Sequence, residues 1–273
     1  MKFKKILTPV DFSENSVSAL RYAAAFAQAS GAGIIILHIA DPDALDNDLK
    51  GNLSPEHLLE ILLKSDFLTG IKTTILVAKG GIPGTILEES RKNKVDLIVM
   101  GTQGSGNMIR NLIGTNTSHV VALAQCPVLV VPNGAIYQSV RKVVLAIDLE
   151  HRTDTIIEDM VNLVKFQKAA VLLAYVSMDS DGQSERELNE LTNSLRHKTG
   201  YDRIVCKVIH SSEFPMGLES YAKSIEADVV VMITHHRGVF ESVFDPSQTK
   251  IYSYHTSIPL LVVPHHKTPV FFF

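Results

Sequence analysis

The chain has 273 residues, of which 45% are hydrophobic and 20% are charged, and its formal net charge is −3. This length fits two domains of roughly 140 residues each, and the composition is that of a globular protein, which excludes extensive intrinsic disorder. Because no run of lysine and arginine is long enough to follow a phosphate backbone, a nucleic-acid partner is not expected.

The first half alternates between short apolar runs and stretches with helical spacing. Residues 6–10 predict a buried strand, after which Ser13 can cap a helix over residues 14–30 that Gly31 ends. Further strands are predicted at residues 34–39, 72–77, 97–100 and 127–131, and further helices from Pro55, over residues 85–92 and after Gly114. Strands alternating with helices predict βαβ units and a parallel sheet.

The second half repeats the first. The matching segments are KKILTPVD (residues 4–11) with RKVVLAID (141–148), VDLIVMGT (95–102) with ADVVVMIT (227–234), and CPVLVVP (126–132) with IPLLVVP (258–264). The offset is 137 residues for the first pair and 132 for the other two. The repeat predicts α/β domains at residues 1–135 and 140–265, followed by a tail at 266–273 without an assigned role.

Several features predict a cytoplasmic protein without a membrane partner. Asp11 interrupts the N-terminal apolar run, so a signal peptide is not expected. No apolar stretch approaches the roughly 20 residues that span a bilayer. Cys126 and Cys206 are too few for a disulfide framework, and the apolar stretches around them predict two buried, inert thiols.

A glycine-rich segment after the fourth strand carries the strongest functional signal. Gly101, Gly104 and Gly106 follow a strand at the carboxyl edge of a parallel sheet, where open α/β folds bind ligands. Glycines let backbone N–H groups approach phosphate oxygens closely. Gly114 precedes a helix whose free N–H groups and dipole favour an anion, and the Thr115 and Thr117 hydroxyls add donors there. The alternative is a set of tight turns without a ligand.

The spacing G-x2-G-x9-G-[ST], through Gly101, Gly104, Gly114 and Thr115, resembles the ATP-binding motif of the universal stress proteins. Residues 9–11 (PVD) and 37–39 (LHI) look like the strand ends that line the nucleoside pocket of that family, and the resemblance covers nearly all of both copies. It implies a site at Pro9, Val10, Asp11, Ile39, Met100, Gly101, Thr102, Gly104, Ser105, Gly106, Gly114, Thr115, Asn116 and Thr117.

The resemblance assigns roles within this set. Asp11 and Ile39 would contact the nucleoside, Gly101 and Gly104 the phosphate loop, and Gly114 with Thr115 the terminal phosphates. The alternative for Asp11 is a capping role at the following helix, and one side chain can do both.

The resemblance also implies the architecture. Each domain would be a Rossmann-like, five-stranded parallel sheet in the order 3-2-1-4-5 with helices on both faces. The fifth strands, residues 128–131 and 260–263, would pair in an intramolecular pseudo-dimer, which also protects their edges. Further assembly of two chains and the identity of a protein partner stay open.

The second copy departs from the motif at its decisive positions. At the 132-residue offset the three glycines and Thr115 become Ile233, His236, Pro246 and Ser247. Proline lacks the N–H group that would face a phosphate, and the larger side chains obstruct close approach. We therefore expect no ATP in this copy. The adjacent His235 and His236 lack the spacing of a helical metal pair, so no metal site is expected either.

The sequence thus predicts an ATP-binding stress or regulatory protein, with Mg²⁺ accompanying the nucleotide. Binding is favoured over turnover because there is no Walker-type loop, no lysine beside the glycines and no carboxylate pair for metal-assisted phosphoryl transfer, so no catalytic residue is assigned. The alternatives are a weak ATPase of the adenine-nucleotide hydrolase superfamily and a nucleotide-free interaction scaffold.

Overall fold

The computed structural model describes residues 3–40, 55–102, 113–137, 139–177, 182–234 and 257–264. The chain divides into two compact units, Lys2–Tyr137 and Gln138–Phe273, called here the first and the second domain. The predicted elements that fall in other parts of the chain, including the tail at 266–273, lie outside the described residues.

The first domain is built on five parallel strands. They are β1 (Lys5–Pro9), β2 (Gly33–Ala40), β3 (Thr73–Lys79), β4 (Leu97–Gly101) and β5 (Val128–Val131). Its helices are α1 (Glu14–Ser30), α2 (Pro55–Leu63), α3 (Ile82–Lys92) and α4 (Thr115–Leu123), with a turn of 3-10 helix at Asp66–Leu68. The strand order is β3-β2-β1-β4-β5. Because the chain moves outward from β1 in both directions, right-handed crossovers put helices on both faces.

The second domain has the same plan. Its strands are β6 (Lys142–Ala146), β7 (Ala170–Ser177), β8 (Ile204–His210), β9 (Val229–Thr234) and β10 (Leu260–Pro264). Its helices are α5 (Asp154–Phe166), α6 (Gln183–Thr199) and α7 (Phe214–Ser224). The strands are parallel and lie in the order β8-β7-β6-β9-β10. The predicted fold class, two Rossmann-like α/β domains with the order 3-2-1-4-5, is confirmed.

Local signals set the limits of α1 as predicted. The Ser13 hydroxyl accepts a hydrogen bond from the N–H of Ser16 at 3.2 Å, which satisfies one of the free donors of the first turn. At the other end Gly31 has φ +74°, a left-handed conformation, and its N–H donates to the Ala27 carbonyl at 2.7 Å. Within the described residues no helix is long and apolar enough to cross a membrane.

Some boundaries and burial predictions were wrong. Helix α3 begins at Ile82 rather than Thr85, because Pro83 is accommodated in the first turn, where its missing N–H breaks no hydrogen bond. Cys126 and Cys206 are half-exposed rather than buried. Cys126 lies in the loop before β5, and Cys206 lies on β8, an edge strand of its domain that is covered less than the central strands.

Both domains fix the start of their first strand with the same carboxylate clamp. Asp96 Oδ2 accepts the main-chain N–H groups of Lys4 and Lys5, both at 2.8 Å. Asp228 Oδ2 accepts the two corresponding N–H groups of the second domain, at 2.7 and 2.8 Å. These clamps lie at the amino ends of the strands, so they do not occupy the carboxyl edge of either sheet.

Candidate functional site

A cleft opens at the carboxyl edge of the first domain's sheet, where β1, β2 and β4 end and α1, α3 and α4 begin. Open parallel α/β sheets bind ligands at this edge. The residues lining the cleft are Pro9, Val10, Asp11, Ser16, Leu37, Ile39, Ile82, Ile86, Met100, Gly101, Asn116 and Thr117. Most of these side chains are apolar, and the polar groups come from the starts of α1 and α4.

The apolar side chains of the cleft come from several elements of the fold. Leu37 and Ile86 are fully buried and Met100 is 5% exposed, so these three are part of the domain core. Ile82 is 45% exposed, although it is large and apolar. A surface of this kind, with buried apolar groups beneath an exposed isoleucine, can cover the faces of a flat ring.

The end of β4 packs tightly against the start of α1. A Cβ atom added to Gly101 would lie 2.6 Å from Asn15 Nδ2, which is closer than real Cβ contacts come. Asn15 is buried and donates from Nδ2 to Thr102 Oγ1 at 3.4 Å. The Thr117 hydroxyl donates to the Gly101 carbonyl at 2.9 Å, which ties the strand end to α4. Position 101 therefore has room for a glycine but not for a larger residue, and the Gly101 main chain lines the cleft.

Helix α4 begins at the cleft with a bare first turn. Its N-cap is Gly114, which has no side chain to accept from the helix, and its N–H donates to the Thr102 carbonyl at 2.7 Å. Thr115 and Asn116 are exposed. The N–H groups of a helix's first turn have no partner within the helix, and together with the helix dipole they favour an anion.

Asp11 follows β1 and has an exposed carboxylate in the cleft. Its Oδ1 accepts from the Ser13 N–H at 3.1 Å and from the Ser13 hydroxyl at 2.6 Å, so it supports the N-cap of α1. Its own N–H donates to Ser16 Oγ at 3.4 Å. Asp11 therefore supports the N-cap residue Ser13 rather than capping α1 itself, and its carboxylate also lines the cleft.

Comparison with known proteins points to one family for both domains. The model of the universal stress protein family matches residues 2–132 and, a second time, residues 139–264. The chain belongs to the universal stress protein family. Because the family model matches twice, it is a tandem member with two domains.

Individual universal stress proteins agree with this assignment. One from Thermus aquaticus is 36% identical over 137 residues, which are 47% of this chain and 98% of that protein. One from Methanocaldococcus jannaschii is 32% identical over 139 residues, which are 47% of this chain and 82% of that protein. The crystal structure of a universal stress protein from Archaeoglobus fulgidus has the same fold, with a TM-score of 0.71 and 18% identity over 97% of this chain and 99% of that one.

The cleft brings together most of the site residues that the universal stress protein motif predicted. Those that line it are Pro9, Val10, Asp11, Ile39, Met100, Gly101, Asn116 and Thr117. Thr102 is buried, the Gly114 N–H donates to its carbonyl, and Thr115 begins α4. These three are next to lining residues in the chain without lining the cleft themselves. Gly104, Ser105 and Gly106 lie outside the described residues.

Four lining residues were not in the predicted set, namely Ser16, Leu37, Ile82 and Ile86. Two signals could have found three of them, and we identify none for Ser16. Leu37 lies in the strand end that resembles the family's pocket, next to the predicted Ile39. Ile82 and Ile86 are four residues apart at the start of a helix that follows a strand's carboxyl end, so they lie on one face of that helix at the ligand edge.

The corresponding groups of the second domain are engaged or replaced. Asp148, the counterpart of Asp11, accepts from the N–H groups of Glu150 and His151 through Oδ1, and its Oδ2 lies 3.2 Å from His151 Nδ1. Ile233, the counterpart of Gly101, is 5% exposed. His236, Pro246 and Ser247 lie outside the described residues, as does His235.

Proposed function

We propose that the first domain binds ATP and that nucleotide occupancy regulates which protein partner the chain contacts, in the stress response of the cytoplasm. One observation carries the proposal: apolar side chains, an exposed carboxylate, a glycine strand end and a bare helix N-terminus line a single cleft. Apolar side chains suit a base, a carboxylate suits the hydroxyls of a ribose, and the glycine strand end and helix N-terminus together suit a chain of phosphates.

The nucleoside would occupy the apolar part of the cleft. Ile39, Ile82 and Met100 offer apolar surface to the base, and the Asp11 carboxylate can accept hydrogen bonds from the ribose hydroxyls. Charge-assisted hydrogen bonds of this kind are stronger than neutral ones. The cleft therefore supports a nucleoside as the part of the ligand that is recognised.

The phosphates would lie between the end of β4 and the start of α4. Gly101 leaves its backbone accessible, and the first-turn N–H groups of Thr115, Asn116 and Thr117 receive no side-chain cap from Gly114. Gly104, Ser105 and Gly106 belong to the same proposed site. In the part of the chain that the structure describes, no three His, Cys, Asp or Glu side chains are grouped to hold a metal. Mg²⁺ would accordingly be held by phosphate oxygens and water.

We propose binding rather than turnover as the activity. Among the described residues that line the cleft, none is a lysine or an arginine, and Asp11 is the one that carries a carboxylate. Efficient phosphoryl transfer uses a cation on the transferred group and a group that orients the nucleophile. ATP would therefore be hydrolysed slowly if at all, and the presence or absence of bound nucleotide would act as the signal.

The second domain would keep the fold without binding ATP in the same way. Ile233 puts a side chain where the first domain has Gly101, which obstructs the approach of a phosphate to the main chain, although Asp11 and Asp148 are both engaged by their own loops. Its role would be that of a pseudo-dimer partner, and the pairing of residues 128–131 with 260–263 stays a prediction. We propose residues 1–135 and 140–265 as the limits of the two domains.

Matched variants of the two aspartates test the proposal. Titration of the full chain with Mg-ATP in a calorimeter should give one site per chain. Asp11→Ala should weaken binding by about 10-fold or more, because it removes the charged oxygens that would accept hydrogen bonds from the ribose hydroxyls. Asp148→Ala, at the equivalent position of the second domain, should bind as the wild type does.

Mass spectrometry of nucleotide released from the purified chain and an assay of phosphate release complete the test. ATP recovered intact supports a binding protein. Phosphate released over minutes would instead favour the weak ATPase. A chain that carries no nucleotide and shows no heat with Mg-ATP would leave the interaction scaffold as the better description.

A further inference from the structure

The loop between β1 and α1 contains an unusual backbone conformation. Phe12 has φ +64°, in the left-handed region that a residue with a Cβ atom rarely adopts, least of all a bulky one. Phe12 follows Asp11 directly, and Val10 and Asp11 both line the cleft. The strained residue therefore lies at the point where the main chain leaves the candidate site.

His38, on β2, holds this loop from the neighbouring strand. Its Nδ1 lies 2.9 Å from the Val10 carbonyl. Because a carbonyl oxygen only accepts, Nδ1 carries the proton and donates it. The His38 ring also contacts the Phe12 ring, with 4.8 Å between the ring centroids, and the histidine is 9% exposed. One side chain thus fixes the residues on either side of Asp11.

The fold itself does not require this arrangement, as the second domain demonstrates. Other left-handed residues recur at equivalent positions of the two domains. Gly31 (φ +74°) corresponds to Lys168 (φ +54°), and Lys94 (φ +52°) corresponds to Glu226 (φ +53°). Leu149, the counterpart of Phe12, is not among the residues with positive φ.

The histidine is likewise confined to the first domain. Tyr175 occupies the position of His38 on β7. The adjacent main-chain bond is nevertheless common to both domains. The Val10 N–H donates to the Leu37 carbonyl at 2.8 Å, and the Ile147 N–H donates to the Ala174 carbonyl at the same distance. The strands therefore align without His38 and Phe12, which are added where the candidate site is.

We infer that His38 is a positioning residue for the nucleotide site and that it acts through Val10 and Phe12 to hold Asp11 in its binding orientation. The inference rests on the proposed function of the first domain. His38 does not line the cleft, whereas its strand neighbours Leu37 and Ile39 do. Because successive residues of a strand point to opposite faces, the imidazole can support the loop from behind the ligand.

Four variants of the full chain test this, with Mg-ATP as the probe in a calorimeter and urea denaturation to verify folding. His38→Leu removes the donor and should weaken ATP binding by about three- to tenfold. His38→Asn places an amide N–H where Nδ1 is and should restore most of the affinity. Phe12→Gly allows the left-handed backbone but removes the ring, so it should also weaken binding. Tyr175→Leu is the matched control in the second domain and should bind as the wild type does.

The outcomes separate this inference from the proposed function. If the wild type binds Mg-ATP and both His38→Leu and Phe12→Gly bind it as tightly as the wild type does, the positioning role is wrong while the proposed function stands. A His38→Asn variant that binds as weakly as a folded His38→Leu would also overturn it, because the hydrogen bond would then not be the cause. A wild-type chain that binds no Mg-ATP overturns both.

Discussion

Gly101 and Asn15 approach each other so closely that a methyl group on Gly101 would lie 2.6 Å from the Asn15 amide nitrogen. The contact joins the end of β4 to the first turn of α1, which are separated by more than 80 residues of chain. Ile233 occupies the equivalent position at β9, so the fold accepts a side chain there when the surroundings are different. The glycine is therefore a property of the first domain's site rather than of the sheet.

Gly101→Ala should lower both the stability of the first domain and its affinity for ATP. The new methyl group must displace the buried Asn15 amide, which we expect to reduce the free energy of unfolding by about 1–3 kcal/mol. Calorimetric titration with Mg-ATP and urea denaturation measure the two effects.

A double-mutant cycle identifies the cause. Asn15→Ala makes room for the methyl group, so Gly101→Ala should cost less in that background, with a coupling of about 1 kcal/mol. Gly84→Ala is the control, because a Cβ at Gly84 meets nothing within 4 Å and its position is helical. Additive effects of the two substitutions would show that the contact is not the source of the loss.

Thr8→Val should stabilise the first domain. The Thr8 side chain is fully buried in β1, and its Oγ1 has no hydrogen-bond partner in the described part of the chain. Valine has the same shape without the hydroxyl, so the free energy of unfolding should rise by about 1 kcal/mol. Thr117→Val is the matched comparison. Its hydroxyl donates to the Gly101 carbonyl at 2.9 Å, and its loss should destabilise by a similar amount. If urea denaturation gave changes in the free energy of unfolding of the same sign for both variants, this account would be wrong.

The repeated carboxylate clamp predicts equal losses in the two domains. Asp96→Ala and Asp228→Ala each remove an oxygen that accepts two main-chain N–H groups, at 2.7–2.8 Å. Each should reduce the free energy of unfolding of its own domain by about 2–3 kcal/mol, because both acceptors are charged. Hydrogen exchange with mass spectrometry can follow each domain separately. Asp202→Ala, at an exposed position, should change it by less than about 0.5 kcal/mol.

Tyr201 should make the stability of the second domain depend on alkaline pH. Burial raises the pKa of Tyr201 above its ordinary value of 10.0, and its hydroxyl donates to the Ala169 carbonyl at 2.6 Å. The folded state therefore holds a proton that the unfolded chain releases first, so this contribution is present below pH 10 and is lost as the pH rises through the higher folded value.

Tyr201→Phe is the variant that tests this dependence. It should lower the free energy of unfolding by about 1 kcal/mol at pH 8, because the hydrogen bond is lost. Between pH 10 and pH 11 its stability should fall less steeply than that of the wild type. Urea denaturation at pH 8 and between pH 10 and pH 11 measures the loss and the slope. If the free energies of unfolding of the two proteins fell in parallel with pH, Tyr201 would not titrate as described.

Much of the fold could be predicted because its signals are local. Apolar runs and helical spacing identified the strands and helices, and the signals at Ser13 and Gly31 set the limits of α1. Boundaries were less accurate where a turn residue is compatible with a helix, as Pro83 is in the first turn of α3. The motif from Gly101 to Thr117 predicted the place of the cleft, because strand ends and helix starts meet at one edge of a parallel sheet.

The sequence by itself determined two α/β domains, their repeat, their family and the general position of a candidate ligand site, since each of these can be recognised from short local patterns of residues and from their recurrence along the chain. Only the tertiary structure decided which side chains come into contact at and around that site. The fit of Asn15 against Gly101, the bond from His38 to Val10 and the presence of Ile82 in the cleft all join segments far apart in sequence. Such contacts follow from the order and register of the strands, and no local pattern of residues encodes them.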